Sequence, residues 1–104
     1  MADERPTTDR SVREKTQQQT KEPDLYNVLL LNDDYTTMDF VVSVLITIFH
    51  KSLPDATVIM LDVHRKGRGV VGTYTYDIAV TKVNQVHALA REREFPLHCV
   101  VEKV

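Results

Sequence analysis

The sequence predicts an α+β fold, a two-layer sandwich with its elements in the order β-α-α-β-α-β. Three observations carry this. A short apolar run, Leu25 to Leu31, is bounded by Pro23 and by Asn32-Asp33-Asp34, as a buried strand is. Three later stretches repeat apolar residues at helical spacing. Two further short runs, Val70 to Tyr74 and Leu97 to Glu102, read as strands introduced by Gly67-Arg68-Gly69 and by Pro96. Elements in this order favour a three-stranded, mainly antiparallel sheet with three helices packed on one face.

The first helix is expected to start at Thr36. A hydroxyl there, followed three residues later by Asp39, approximates a capping box. Phe40, Val41, Val44, Leu45, Ile48 and Phe49 then form a broad apolar face, which predicts a helix running to about His50. Ser52-Leu53-Pro54-Asp55 breaks it and opens a second, with Ser52 or Leu53 near the cap and Pro54 in the first turn. The inner face of this helix is read as Ala56, Ile59, Met60, Val63 and His64, and Lys66-Gly67 ends it. The third helix is expected over Tyr76 to Arg93, with Ala79, Val83, Val86 and Ala90 on one stripe.

The chain of 104 residues has room for one domain. Its composition changes near Pro23. Residues 1–21 contain only Met1, Ala2 and Val12 from the apolar set, and such a stretch buries too little surface to offset the entropy of ordering it. A disordered tail over 1–24 and a globular domain over 25–104 are therefore expected. No apolar run is long enough to span a bilayer and no signal pattern opens the chain, which predicts a cytoplasmic protein with no membrane partner. The single Cys99 fits a reducing compartment. A net charge of −2 with both signs mixed argues against nucleic-acid binding through bulk positive charge.

Four clusters invite a chemical reading. Gly67-Arg68-Gly69-Val70-Val71-Gly72 is formally G-x-G-x-x-G, but a dinucleotide site needs it after a strand and before a helix. Here it follows a helix and opens a strand, so a helix cap and a tight turn are the better reading. His98 and Cys99 are neighbours on an expected strand and point to opposite faces, and no pair has zinc spacing. Neither a metal, a cofactor nor a catalytic nucleophile is therefore expected. Asn32-Asp33-Asp34-Tyr35-Thr36 reads first as strand exit, turn and helix cap. Asp34 and Thr36 suffice for that, which leaves Asn32 and Asp33 as surplus polar groups beside Met38, Val41 and Val42. An amide and a carboxylate at the rim of an apolar hole suit a ligand with a cationic end and an apolar end. Finally, Met60 and His64 share a helical face with Val63, a pattern that on its own more often means core than pocket.

At these residues the sequence closely resembles the ClpS family, adaptors that deliver N-end-rule substrates to Clp proteases. The matching stretches are Tyr26-Asn27-Val28, then Leu31-Asn32-Asp33-Asp34-Tyr35-Thr36, Met38-Asp39-Phe40-Val41, Ala56 with Met60 to His64, Thr81-Lys82-Val83, Phe95-Pro96-Leu97 with Cys99, and Glu102-Lys103. The resemblance covers residues 25–104, and the N-D-D-Y-T-x-M-[DE]-F-V string is long and specific. It implies an α/β sandwich and a pocket for an N-terminal Leu, Phe, Tyr or Trp. By this resemblance Asn32, Asp33 and His64 contact the substrate's α-amino group. Thr36, Met38, Val41, Val42, Met60, Val63 and Leu97 line the side-chain hole, with Met38 at its mouth rejecting Ile and Val. Asp34 completes the expected binding set. The N-domain of a Clp ATPase, of ClpA or ClpC type, is the implied partner, contacted by Asp77 and Lys82. The family often has Pro where this chain has Thr37, and Tyr76 and Val80 also depart from its usual forms.

The expected function is therefore a non-enzymatic adaptor. One alternative is a generic interaction module without N-terminal recognition, which would tolerate loss of Asn32, Asp33 and His64 together. A second is a small enzyme using Asp33 and His64 as base and orienter, for which the sequence supplies no nucleophile.

Overall fold

The structure, a computed structural model, describes residues 22–104. The expected disordered tail thus lies outside the described residues, except for its last three. Six elements follow: β1 (Leu25–Leu31), α1 (Met38–Thr47), α2 (Leu53–Lys66), β2 (Arg68–Thr75), α3 (Tyr76–Glu92) and β3 (His98–Lys103). The order is the expected one. The sheet runs β2-β1-β3 and both pairings are antiparallel.

Alternation along β1 divides the sheet into two faces. Tyr26, Val28 and Leu30 turn toward the helices, and Val28 and Leu30 are fully buried there with Val44, Leu45, Ala56, Ala79 and Val86. A Leu or Val buried this way contributes about 1.5–3 kcal/mol. Leu25, Asn27, Leu29 and Leu31 turn to the face without helices. Leu29 is nonetheless only 2% exposed. It lies between Val70 and Val100 in the register, and the Arg68–Glu102 ion pair at 2.7 Å reaches across the same face from one edge strand to the other.

The register between β1 and β2 shifts between Val28 and Leu29, so that Val71 has no partner. The bulge sets Val71 and Gly72 together against Val28 on the core side, and Val71 is buried there while Val70, opposite Leu29, stays outside.

Helix ends follow local chemistry. Ser52 caps α2, accepting from the Asp55 N–H at 3.2 Å, with Pro54 in the first turn. Gly67 closes α2 with φ 89°, a left-handed conformation natural to glycine. The formal G-x-G-x-x-G is thus a helix cap followed by two strand glycines, and no tight turn lies within it. The end of α3 is a Schellman motif: Phe95 N–H bonds to the Ala90 carbonyl at 2.8 Å and Glu94 N–H to the Arg91 carbonyl at 3.1 Å. Its left-handed residue is Glu94, with φ 64°.

Helix boundaries differ from expectation in three places: α1 ends at Thr47 and not near His50, α3 ends at Glu92 with Arg93 as its cap, and α1 starts one residue later. The cap of α1 is Thr37, whose hydroxyl accepts from the Phe40 N–H at 3.1 Å. Thr36 is drawn away by another partner, described below. A proline at position 37 has no such acceptor, so threonine here supplies a cap in place of ring rigidity.

Close approach of α2 to β2 depends on Gly69. A Cβ built there meets Val63 Cγ2 at 2.8 Å, with the α2 backbone just behind it. Gly69→Ala is expected to push α2 outward and to destabilise the fold by about 1–3 kcal/mol, read by denaturant titration. An unchanged midpoint contradicts this packing.

Candidate functional site

The exit of β1 is tied to the end of α2. Asn32, the residue after the strand, donates its backbone N–H to the Gly67 carbonyl at 2.9 Å. This link brings Asn32 and Asp33 beside His64, which stands in the last turn of α2. The Asp33 carboxylate then folds the chain back on itself. Its Oδ1 accepts from the backbone N–H of Tyr35 at 2.8 Å and of Thr36 at 2.7 Å, and its Oδ2 accepts from the Thr36 hydroxyl at 2.7 Å. Asp33 is therefore not surplus to the turn, as the sequence suggested. It closes the turn, and Thr36 serves it in place of capping α1.

Burial pushes the Asp33 carboxyl up, but the Thr36 and Tyr35 hydrogen bonds and the charge of His98 outweigh that and hold it below its ordinary value. The group is ionised at neutral pH. Because its folded value is depressed, its stabilising contribution is present above the unfolded pKa and fades as pH falls through the folded one. A carboxylate has about four acceptor sites. Three are taken by Tyr35 and Thr36, which leaves one direction for a ligand donor.

The turn forms one end of a recess of about 210 Å³. Asn32, Asp33, Asp34 and Thr36 supply its polar rim with His64, and Met38, Val41, Met60 and Val63 its apolar walls. Nine of the expected site residues thus meet in one hollow, and no other described residue lines it. Val41 and Val63 are buried and form the floor, while Met38, 45% exposed, stands at the mouth. Two expected residues are not part of the lining. Val42 lies half-buried next along α1, and Leu97, 3% exposed, is packed in the core and faces a different cavity.

Cys99 is buried, and burial pushes its thiol up to about 12, far from the range of a nucleophile at neutral pH. His98, the first residue of β3, is exposed where Cys99 is buried. No group of three His, Cys, Asp or Glu side chains among the described residues is placed to hold a metal ion. No helix among them is long and apolar enough to cross a membrane.

Residues 21–100 match the family model described as ATP-dependent Clp protease adaptor protein ClpS. The chain belongs to the ClpS family. An ATP-dependent Clp protease adapter protein ClpS of Acetivibrio thermocellus is 64% identical over 91 residues, covering 88% of this chain and 92% of that protein. Its counterpart in Syntrophus aciditrophicus is 64% identical over 83 residues, 80% of this chain and 78% of the relative. The solved structure of Agrobacterium tumefaciens ClpS2 bound to L-phenylalaninamide superposes with a TM-score of 0.78 at 41% identity, covering 80% of this chain and all of that one. Membership makes the chain an adaptor of the Clp protease system, not an enzyme.

The two residues expected to meet the Clp ATPase lie differently on α3. Asp77 is exposed in its first turn. Lys82 reaches back across the fold: its Nζ donates to the Ile48 carbonyl at 2.6 Å and lies 5.9 Å from the centre of the Phe49 ring. It therefore caps the end of α1, which has no basic residue in its last turn. Sequence reasoning missed this because the contact spans 34 residues and carries no local pattern. Lys82→Met, which keeps the stem and removes the charge, is expected to cost about 1–2 kcal/mol. At about 4–8 °C per kcal/mol for a domain of this size, a melting curve reads it directly. An unshifted Tm contradicts the capping role.

Proposed function

We propose that this ClpS-family chain binds proteins through an N-terminal Leu, Phe, Tyr or Trp and hands them to the N-domain of a Clp ATPase, of ClpA or ClpC type. The observation that carries the reading is one small hollow with an oriented carboxylate at its rim and apolar walls below it. Its volume, about 210 Å³, is below the roughly 300–1,000 Å³ of pockets for drug-sized ligands and suits a single side chain. Phenylalaninamide, the ligand named for the Agrobacterium relative, has the chemistry of an N-terminal Phe: an ammonium, a benzyl group and an amide in place of the carboxylate.

A free α-amino group has a reference pKa of about 7.7–8.0 and is mostly charged at neutral pH. Three acceptors suit it: Asp33, the Asn32 side-chain carbonyl and an unprotonated nitrogen of His64. A hydrogen bond to a charged group contributes about 1.5–3 kcal/mol, and burial of one Leu or Phe side chain about 1.5–3 kcal/mol. Association opposes them by roughly 4–15 kcal/mol. Neither end suffices alone, so an internal Leu and an N-terminal Lys are both rejected. Met38 at the mouth excludes the β-branched Ile and Val. Asp77 offers an exposed carboxylate to the ATPase, while Lys82 contributes chiefly through its hold on α1.

Acetylating a Phe-starting peptide is expected to abolish its binding, measured by fluorescence anisotropy. Binding of the free peptide should also weaken as pH rises through about 8, because the amine loses its proton while Asp33 stays ionised. Equal affinity for acetylated and free peptides contradicts the reading and favours an interaction module indifferent to the N-terminus. Met38→Ala is expected to widen the mouth and to improve binding of Ile- and Val-starting peptides by about tenfold relative to Leu. A variant that binds Leu normally and still excludes both places the gate elsewhere.

A further inference from the structure

A second cavity, of about 380 Å³, opens where the end of α3 meets the start of β3. It shares no lining residue with the recess. Its apolar side is built from Ala90, Phe95, Pro96 and Leu97, and its rim carries His87, Arg91 and His98.

The apolar side is rigid. Ala90 and Leu97 belong to the core, and the Phe95 ring is held against Phe40 with centroids 4.7 Å apart. The Schellman hydrogen bonds at Ala90 and Arg91 fix the turn that carries Phe95. On the rim, the His87 Nε2 accepts the Cys99 backbone N–H at 3.1 Å. Its ring proton therefore sits on Nδ1, which makes His87 a donor to anything in the cavity. His98 stacks at an angle 5.5 Å away. The charges that act on His87 are those of His98 and Arg91, both basic, and among the described residues no carboxylate lines the cavity. Arg91 makes no ion pair among the described residues.

Rigid apolar walls beneath converging donors, two of them on basic side chains of the same helix, are the features of a ligand site. We propose that this cavity is a second binding site, which takes a carboxylate carried next to a bulky apolar side chain. Arg91 forms the charge-assisted contact, His87 and His98 add donors, and the side chain lies against Phe95, Pro96 and Leu97. The same chemistry is presented by a free N-blocked amino acid and by the C-terminal residue of a peptide. The recess selects the opposite charge, so one protein would hold a cationic terminus at one site and an anionic one at the other.

The test is an NMR titration of the full chain, following backbone amides, with three probes. N-acetyl-phenylalanine has the carboxylate and no ammonium, phenylalaninamide has the ammonium and no carboxylate, and N-acetyl-phenylalaninamide has neither. N-acetyl-phenylalanine is expected to shift amides in residues 90–99 saturably, and the two amides are expected to leave them in place. Arg91→Gln, an exposed change whose fold is checked by its Tm, should weaken that binding about tenfold. Met38→Ala, at the mouth of the recess, should leave it unchanged, which separates this site from the recess. An N-acetylated tetrapeptide ending in Phe distinguishes the sources: tighter binding than the single acid assigns the site to a chain end, weaker binding to a small acid. The proposal is overturned if N-acetyl-phenylalanine gives no saturable shift there, if N-acetyl-phenylalaninamide binds equally well, or if Arg91→Gln leaves its affinity intact.

Discussion

The structure hinges on one carboxylate. Asp33 accepts three hydrogen bonds within three residues and so decides how the chain leaves β1 and enters α1. With the Asn32–Gly67 hydrogen bond, it fixes where α1 and α2 stand relative to the strand between them. Those helices carry the apolar walls of the recess, so its shape and its polar end have a common origin. The hydrogen bonds that build the turn also hold Asp33 ionised. Preorganisation and charge therefore come from the same contacts, and the Asp33 carboxylate is already oriented when a ligand arrives.

Close packing behind the recess makes that precision possible. Gly69 lets α2 lie against β2 at a distance where even a methyl group intrudes on Val63, one of the recess walls. At the far end of α1, Lys82 satisfies the Ile48 carbonyl and covers Phe49. The helix that carries Met38 and Val41 is thus held at both ends, by Thr37 at its start and by a lysine from α3 at its finish. A residue that contacts the ATPase in the family resemblance is, in this chain, first a structural clamp. On the face that carries none of the described helices, Leu29 is flanked by Val70 and Val100, and the Arg68–Glu102 pair reaches across from one edge strand to the other.

How much of this was legible in the sequence varies with the range of the interaction. β1 was legible to the residue, because an apolar run between Pro23 and Asn32-Asp33-Asp34 has local boundaries. The ends of α2 were legible for the same reason, Ser52 and Gly67 being chemically distinct signals. The start of α1 was misplaced by one residue. Thr36 and Thr37 are the same residue type, and only the competing Asp33 carboxylate decides which of them caps. The walls of the recess were legible as helical spacing and as family motif. Val42 and Leu97 were placed on it by the family resemblance, which does not say how deep a side chain lies in this chain. The Val71 bulge, the Lys82 clamp and the basic cavity at His87, Arg91 and His98 all depend on contacts between distant segments, which no local pattern encodes.

The double role of Asp33 also governs how its function can be separated from its structure. Removing the carboxylate deprives a ligand ammonium of its partner, but it also leaves the N–H groups of Tyr35 and Thr36 without acceptors. These donors are exposed at Tyr35 and part-buried at Thr36, and each lost hydrogen bond costs about 0.5–1.5 kcal/mol. Lost binding in Asp33→Ala therefore has two explanations. Asparagine keeps an acceptor oxygen for the turn and removes the charge, so the difference between the wild-type chain and Asp33→Asn isolates what the charge does for the ligand, and the difference between the asparagine and alanine variants what the turn contributes. Changing the peptide in place of the protein isolates it more cleanly still, because blocking the amine leaves every hydrogen bond of the turn untouched.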